Sequence, residues 1–239
     1  MFEMRDEYAA SQTKGLGCGF WGMWVLATTL GGGIGYLAGQ SLTMALLPAD
    51  ATIYEIVLAA VPAGIILGLC VGVLQGLLLL RYIKFAGWRE WVGASIVGGV
   101  LRWAVLGPIS SVLILGMNTG IAVCNVLIPL ALFGAVSGAA FGLPQAFVLS
   151  RHLRQTSELE WWTWTLANAA GGVFYLPFVM LSGLSGSAIM AMGGAVTQDA
   201  ALRALIAVTL NWLLTGIITG LPIIDRLKHA NRPTYIDVG

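Results

Sequence analysis

Few residues in this chain have side chains that could do chemistry, and they recur at fixed spacing. Gln75 and Gln145 each stand six residues before an arginine, Arg81 and Arg151. Thr28, Ser95 and Asn168 each stand four residues after a tryptophan, namely Trp24, Trp91 and Trp164. Arg102 lies in the middle of an apolar run, and no such run has an Asp or Glu in its interior. Amides and hydroxyls at one depth can line a small polar cavity, with Gln75, Gln145 and Asn168 as its wall and Arg102 as the anchor for an anionic ligand. The same groups can instead bond to one another between helices, at about 0.6–2 kcal/mol per bond. Arg102, eleven residues past Trp91, falls about 16 Å along a helix from it. An arginine at that depth is either a functional site or a side chain that snorkels back towards the interface.

Catalytic groups are missing from the pattern. His152 and His229 fall at the ends of apolar runs, and Cys18, Cys70 and Cys124 share no close spacing. That leaves no Ser–His–Asp arrangement, no metal-ligand spacing and no disulfide framework. The glycine runs lack the Lys-Ser/Thr ending of a phosphate loop. No enzyme activity and no metal are expected. A cofactor is not specified, although a lipid, or a pigment or quinone held without histidine, leaves no motif.

The elements that must position these residues repeat. Gly64-x3-Gly68-x3-Gly72-x2-Gln75-x3-Leu79-x-Arg81 returns as Gly134-x3-Gly138-x3-Gly142-x2-Gln145-x3-Leu149-x-Arg151. Glycine at every fourth position gives a helix a smooth strip where a second helix can approach at backbone distance. A second pattern, W-x2-A-[T/S/N]-x2-G-G, begins at Trp24, Trp91 and Trp164, at intervals of 67 and 73 residues. A third return helix is degenerate: it keeps Gly220-Leu-Pro222 beside Gly142-Leu-Pro144, but has Ile223 in place of Gln145 and Trp212 in place of Gly134. Arg102 breaks the pattern too, because Gly35 and Tyr175 are its aligned positions.

Composition sets the environment. Of 239 residues, 58% are hydrophobic and only 10% charged, against roughly 25% charged in soluble proteins. The net charge of +1 offers no field for nucleic acid. Apolar stretches at about 20–46, 55–81, 90–115, 124–150, 161–181 and 201–224 predict six membrane-spanning helices. Thr52 and Glu55 form a capping box at the start of the second. Prolines 62, 108, 129, 144, 177 and 222 predict kinks rather than breaks. Ten of the twelve Lys and Arg residues fall on one side of such an arrangement, which predicts cytoplasmic N- and C-termini. The nine tryptophans mostly fall near predicted interfaces (Trp21, Trp24, Trp88, Trp91, Trp161, Trp162, Trp164), as in an aromatic belt.

The expected fold is an all-α integral membrane bundle of three two-helix hairpins around a pseudo-threefold axis. A cytoplasmic segment, 1–19, precedes hairpins at 20–81, 82–151 and 152–225, and a cytoplasmic tail, 226–239, follows. These motifs resemble those of multi-span bacterial membrane proteins, familiar from cyanobacteria and related photosynthetic lineages, whose hairpins read roughly G-x3-G-x2-Q-x3-L-R followed by W-x2-A-N. The resemblance implies a bacterial inner or thylakoid membrane and carries no function with it. The expected role is a non-enzymatic accessory or structural subunit, packed through Gly64, Gly68, Gly72, Gly134, Gly138 and Gly142 against integral membrane partners, such as those of a photosynthetic or energy-converting complex, in a lipid bilayer. The alternative is a small-solute or anion transport component built on Arg102, Gln75, Gln145 and Asn168.

Overall fold

A computed structural model describes residues 18–47, 52–83, 85–117, 123–152, 160–174 and 198–230, with most of their side chains. Among these residues there are six α-helices and no strand. They are α1 (Cys18–Leu46), α2 (Ile53–Ile83), α3 (Trp88–Met117), α4 (Val123–His152), α5 (Glu160–Val173) and α6 (Gln198–Ala230). Arg5, Lys14, Lys84, Asn118, Arg154, Tyr175, Pro177, residues 182–197 and Arg232 lie outside the described residues. The side chains of Asn125, Trp161, Arg203, Arg226, Lys228 and His229 do so as well.

Local sequence accounts for the helix ends and for their continuity. At the start of α2 the Thr52 amide donates to Glu55 Oε2 at 2.7 Å, and the Glu55 amide donates to Thr52 Oγ1 at 3.4 Å. This is the reciprocal capping box read from the sequence. The helices run on through Pro62, Pro129, Pro144 and Pro222. Each helix packs on the next in the chain, and α6 packs back on α1, so the six form a closed ring.

Among the described residues, three helices are long and apolar enough to cross a membrane, rather than six: Tyr54–Tyr82 in α2, Ile128–His152 in α4 and Leu205–Ile224 in α6. Glycine, tryptophan and hydroxyl residues dilute the aliphatic content of α1, and the side chains of α3 beyond Ala104 lie outside the described residues. The 14 residues of α5 make about 21 Å of helix, against a hydrocarbon thickness of about 30 Å.

Glycine sets the spacing within the ring. A Cβ on Gly64 would stand 2.5 Å from Val100 Cα, and one on Gly68 would fall on the Ser95 carbonyl oxygen. The matching positions in α4 do the same: a Cβ on Gly134 would meet the Gly172 carbonyl, and one on Gly138 the Asn168 carbonyl. Gly72 and Gly142 face the Ser95 and Asn168 side chains at 2.7 and 2.6 Å. All six glycines of the two strips therefore lie against a neighbouring helix of the same chain. The pairs of adjacent glycines on α1, α3 and α5 work in both directions round the ring. Gly31, Gly98 and Gly171 meet the return helix that follows (Val71, Phe141, Thr215), and Gly32, Gly99 and Gly172 meet the one that precedes (Trp212, Gly64, Gly134).

The tryptophans correct the interfacial-belt expectation. Trp24, Trp91 and Trp164 are each fully buried. Their rings meet edge to face in a triangle, with centroids 6.1, 5.8 and 5.6 Å apart. Each such pair contributes about 0.5–1.5 kcal/mol beyond its buried area. The reason is spacing: Trp24, Thr28, Gly31 and Gly35 recur every three or four residues, so the tryptophan shares the inward glycine face of its helix. Trp162, at 52% exposure, keeps the outward position expected of a belt residue.

Candidate functional site

The polar residues singled out by the sequence form one layer between two apolar clusters. Below it lie the tryptophan triangle with Phe20, Leu79, Leu149 and Ile223. Above it lie Leu67, Val71, Trp103, Phe141 and Trp212. Within the layer Thr28, Gln75, Ser95, Gln145 and Asn168 are all buried.

Each hydroxyl or amide on α1, α3 and α5 first bonds within its own helix. Thr28 Oγ1 donates to the Trp24 carbonyl and Ser95 Oγ to the Trp91 carbonyl, both at 2.8 Å, and Asn168 Nδ2 donates to the Trp164 carbonyl at 3.0 Å. The two glutamines then join helices. Gln75 Nε2 donates to Thr28 Oγ1 at 2.9 Å, and Gln145 Nε2 to Ser95 Oγ at 2.8 Å. Trp164 Nε1 donates to Gln145 Oε1 at 3.2 Å, which links Gln145 to α5 as well. The corresponding atoms Gln75 Oε1 and Trp91 Nε1 are buried and make no hydrogen bond.

The third hairpin meets the same need with other residues. Ile223 occupies the glutamine position and is 1% exposed. Trp24, which would have faced a glutamine there, donates instead to Thr219 Oγ1 at 3.2 Å. Thr219 and Thr215 in turn donate to the carbonyls four residues back, Thr215 and Asn211, at 2.7 and 2.9 Å. Sequence reasoning passed over Thr215 and Thr219. Their signal is the run Asn211, Thr215, Thr219, a polar stripe at helical spacing on an otherwise apolar segment.

Arg102 does not join this layer. Seven residues past Ser95, its backbone lies about 10 Å further along α3. It is 2% exposed, and its guanidinium carbon sits 4.8 Å from the centroid of the Trp212 ring. That is cation–π geometry. Two departures from the repeated pattern thus meet: the arginine on α3 that stands where α1 has Gly35, and the tryptophan that replaces a glycine on α6. Gly32 makes room for the ring, since a Cβ there would overlap its carbons, and Phe141 packs against it at 6.0 Å. At the opposite end, Glu90 at the start of α3 lies 3.5 Å from Arg151 and 3.2 Å from His152 at the end of α4. The Arg151–Glu90 pair is largely exposed and adds at most about 1 kcal/mol.

The geometry brings Gln75, Gln145 and Asn168 into one layer, each already bonded, and places Arg102 apart from them. No family model, curated protein or solved structure matches this chain.

Proposed function

We propose that the chain is a non-enzymatic integral membrane protein built as three hairpins round a pseudo-threefold axis, and that it serves as a structural or accessory subunit of a larger membrane assembly. The observation that carries this reading is where the polar and small residues go. The glycine strips, the glutamines and the repeated hydroxyls are used inside the ring, and three tryptophans fill its middle just below the polar layer. Partner contact then falls to the outer surface and not to the glycine faces. Among the described residues that surface carries large apolar side chains on every helix: on α1, for example, Leu26, Leu30, Ile34 and Leu37 are 40–57% exposed at helical spacing. An outward apolar face on α1 and α3 supports six spans, although among the described residues only α2, α4 and α6 have the length and hydropathy by themselves. The motif resemblance supports a bacterial inner or thylakoid membrane.

A second reading, anion or small-solute binding, is favoured by one observation, the buried guanidinium of Arg102. Gln75, Gln145 and Asn168 support it less, because each already has an interhelical or local partner.

Purification from native membranes in mild detergent separates the two. A stoichiometric complex with other integral membrane proteins is expected. A protein recovered alone under conditions that keep neighbouring complexes intact would contradict the subunit role.

A further inference from the structure

Three polar groups that the interhelical network leaves unused lie on two consecutive residues of α6. Asn211 and Trp212 are 0% and 1% exposed. Neither the amide nitrogen nor the amide oxygen of Asn211 has a hydrogen-bond partner, and neither does the indole nitrogen of Trp212. An orphaned buried polar group costs about 1–3 kcal/mol, and native proteins leave few of them. Three at one point in a helix imply an occupant. The ring of Trp212 is held in place by Gly32, Phe141 and Arg102, so its N–H has a fixed direction. Asn211 precedes Trp212 by one residue, about 1.5 Å along the helix axis, so its backbone lies at the depth of the residue whose ring carries the Arg102 guanidinium.

The chemistry fixes the sign of the ligand. Two of the three groups are N–H donors, and the side chain stacked on Trp212 is a cation. We propose that the Asn211–Trp212–Arg102 layer binds a small monovalent inorganic anion, with a water bridging to Asn211 Oδ1. The indole and amide N–H groups donate to the anion, and the guanidinium supplies the compensating charge. This site goes beyond the subunit reading and does not depend on it. It also moves anion recognition away from Gln75, Gln145 and Asn168.

The test is a bromide titration of the full-length protein in detergent, with gluconate replaced at constant ionic strength and thermal unfolding followed by tryptophan fluorescence. The wild-type Tm is expected to rise and saturate. Trp212→Phe keeps the ring but removes its N–H, and Asn211→Leu fills the same space without the amide. Either is expected to raise the half-saturating bromide concentration at least tenfold. A wild-type Tm that does not change, or that rises without saturating, overturns the proposal; a water alone in the layer would give that result. Saturation that is identical in both variants overturns it too. If a variant does not fold, the wild-type titration decides.

Discussion

Gly138→Leu is expected to abolish the folded bundle, and Gly138→Ala to destabilise it by about 3 kcal/mol or more. A Cβ at this position meets the backbone carbonyl of Asn168 rather than the end of a flexible side chain. Relief therefore requires α4 and α5 to separate along the line where Gly134 and Gly172 also touch. Gly93→Ala is the control, because nothing lies within 4 Å of the added carbon. It is expected to be neutral or to stabilise by up to about 1 kcal/mol through helix propensity. The check is the yield of monodisperse protein after detergent extraction, with the Tm of whatever folds. Equal behaviour of the two alanine variants would mean that the α4–α5 contact is not set by backbone proximity.

Gln145→Leu is expected to destabilise by about 2–3 kcal/mol, clearly more than Gln75→Leu at about 1 kcal/mol or less. Gln145 makes two interhelical bonds, each about 0.6–2 kcal/mol, and its loss strands the fully buried indole N–H of Trp164. Gln75 makes one such bond, and Thr28 keeps its link to the Trp24 carbonyl without it. Denaturant unfolding of both variants in mixed micelles measures the difference. Equal losses, or a larger loss for Gln75, would contradict the bonding described here.

Much of this arrangement is legible in the spacing of particular residues. Gln75 and Gln145 sit at fixed distances from Arg81 and Arg151, and Thr28 and Ser95 at a fixed distance from Trp24 and Trp91. Those offsets alone put glutamine and hydroxyl at one depth, where the structure joins them. The all-helical class and the capping box at Thr52 follow from equally local rules. Other features needed the third dimension. Tryptophan is common at membrane interfaces, so composition favours a belt; only its register with Thr28, Gly31 and Gly35 reveals that Trp24 turns inward. Trp212 could be seen to replace a glycine, and Arg102 to stand where the first hairpin has Gly35, but nothing linear shows that one stacks on the other. Asn211 reads as an ordinary polar residue until its burial is known.

Closure of the ring, in which α6 returns to α1 so that the polar and glycine faces all turn inward, is tested most directly by disulfide cross-linking in membranes. A Cβ at Gly216 would stand 3.2 Å from Thr28 Cβ, and one at Gly39 the same distance from Ala63 Cβ, both near the roughly 3.5–4.5 Å that disulfides need. With Cys18, Cys70 and Cys124 replaced, cysteines at 28 and 216 join the first helix to the last, while those at 39 and 63 join consecutive helices as a control. Mass spectrometry of non-reduced peptides is expected to find both links. A 39–63 link without a 28–216 link would mean that the hairpins stand in an open row and that the inward layer of Gln75, Gln145 and the three tryptophans does not close.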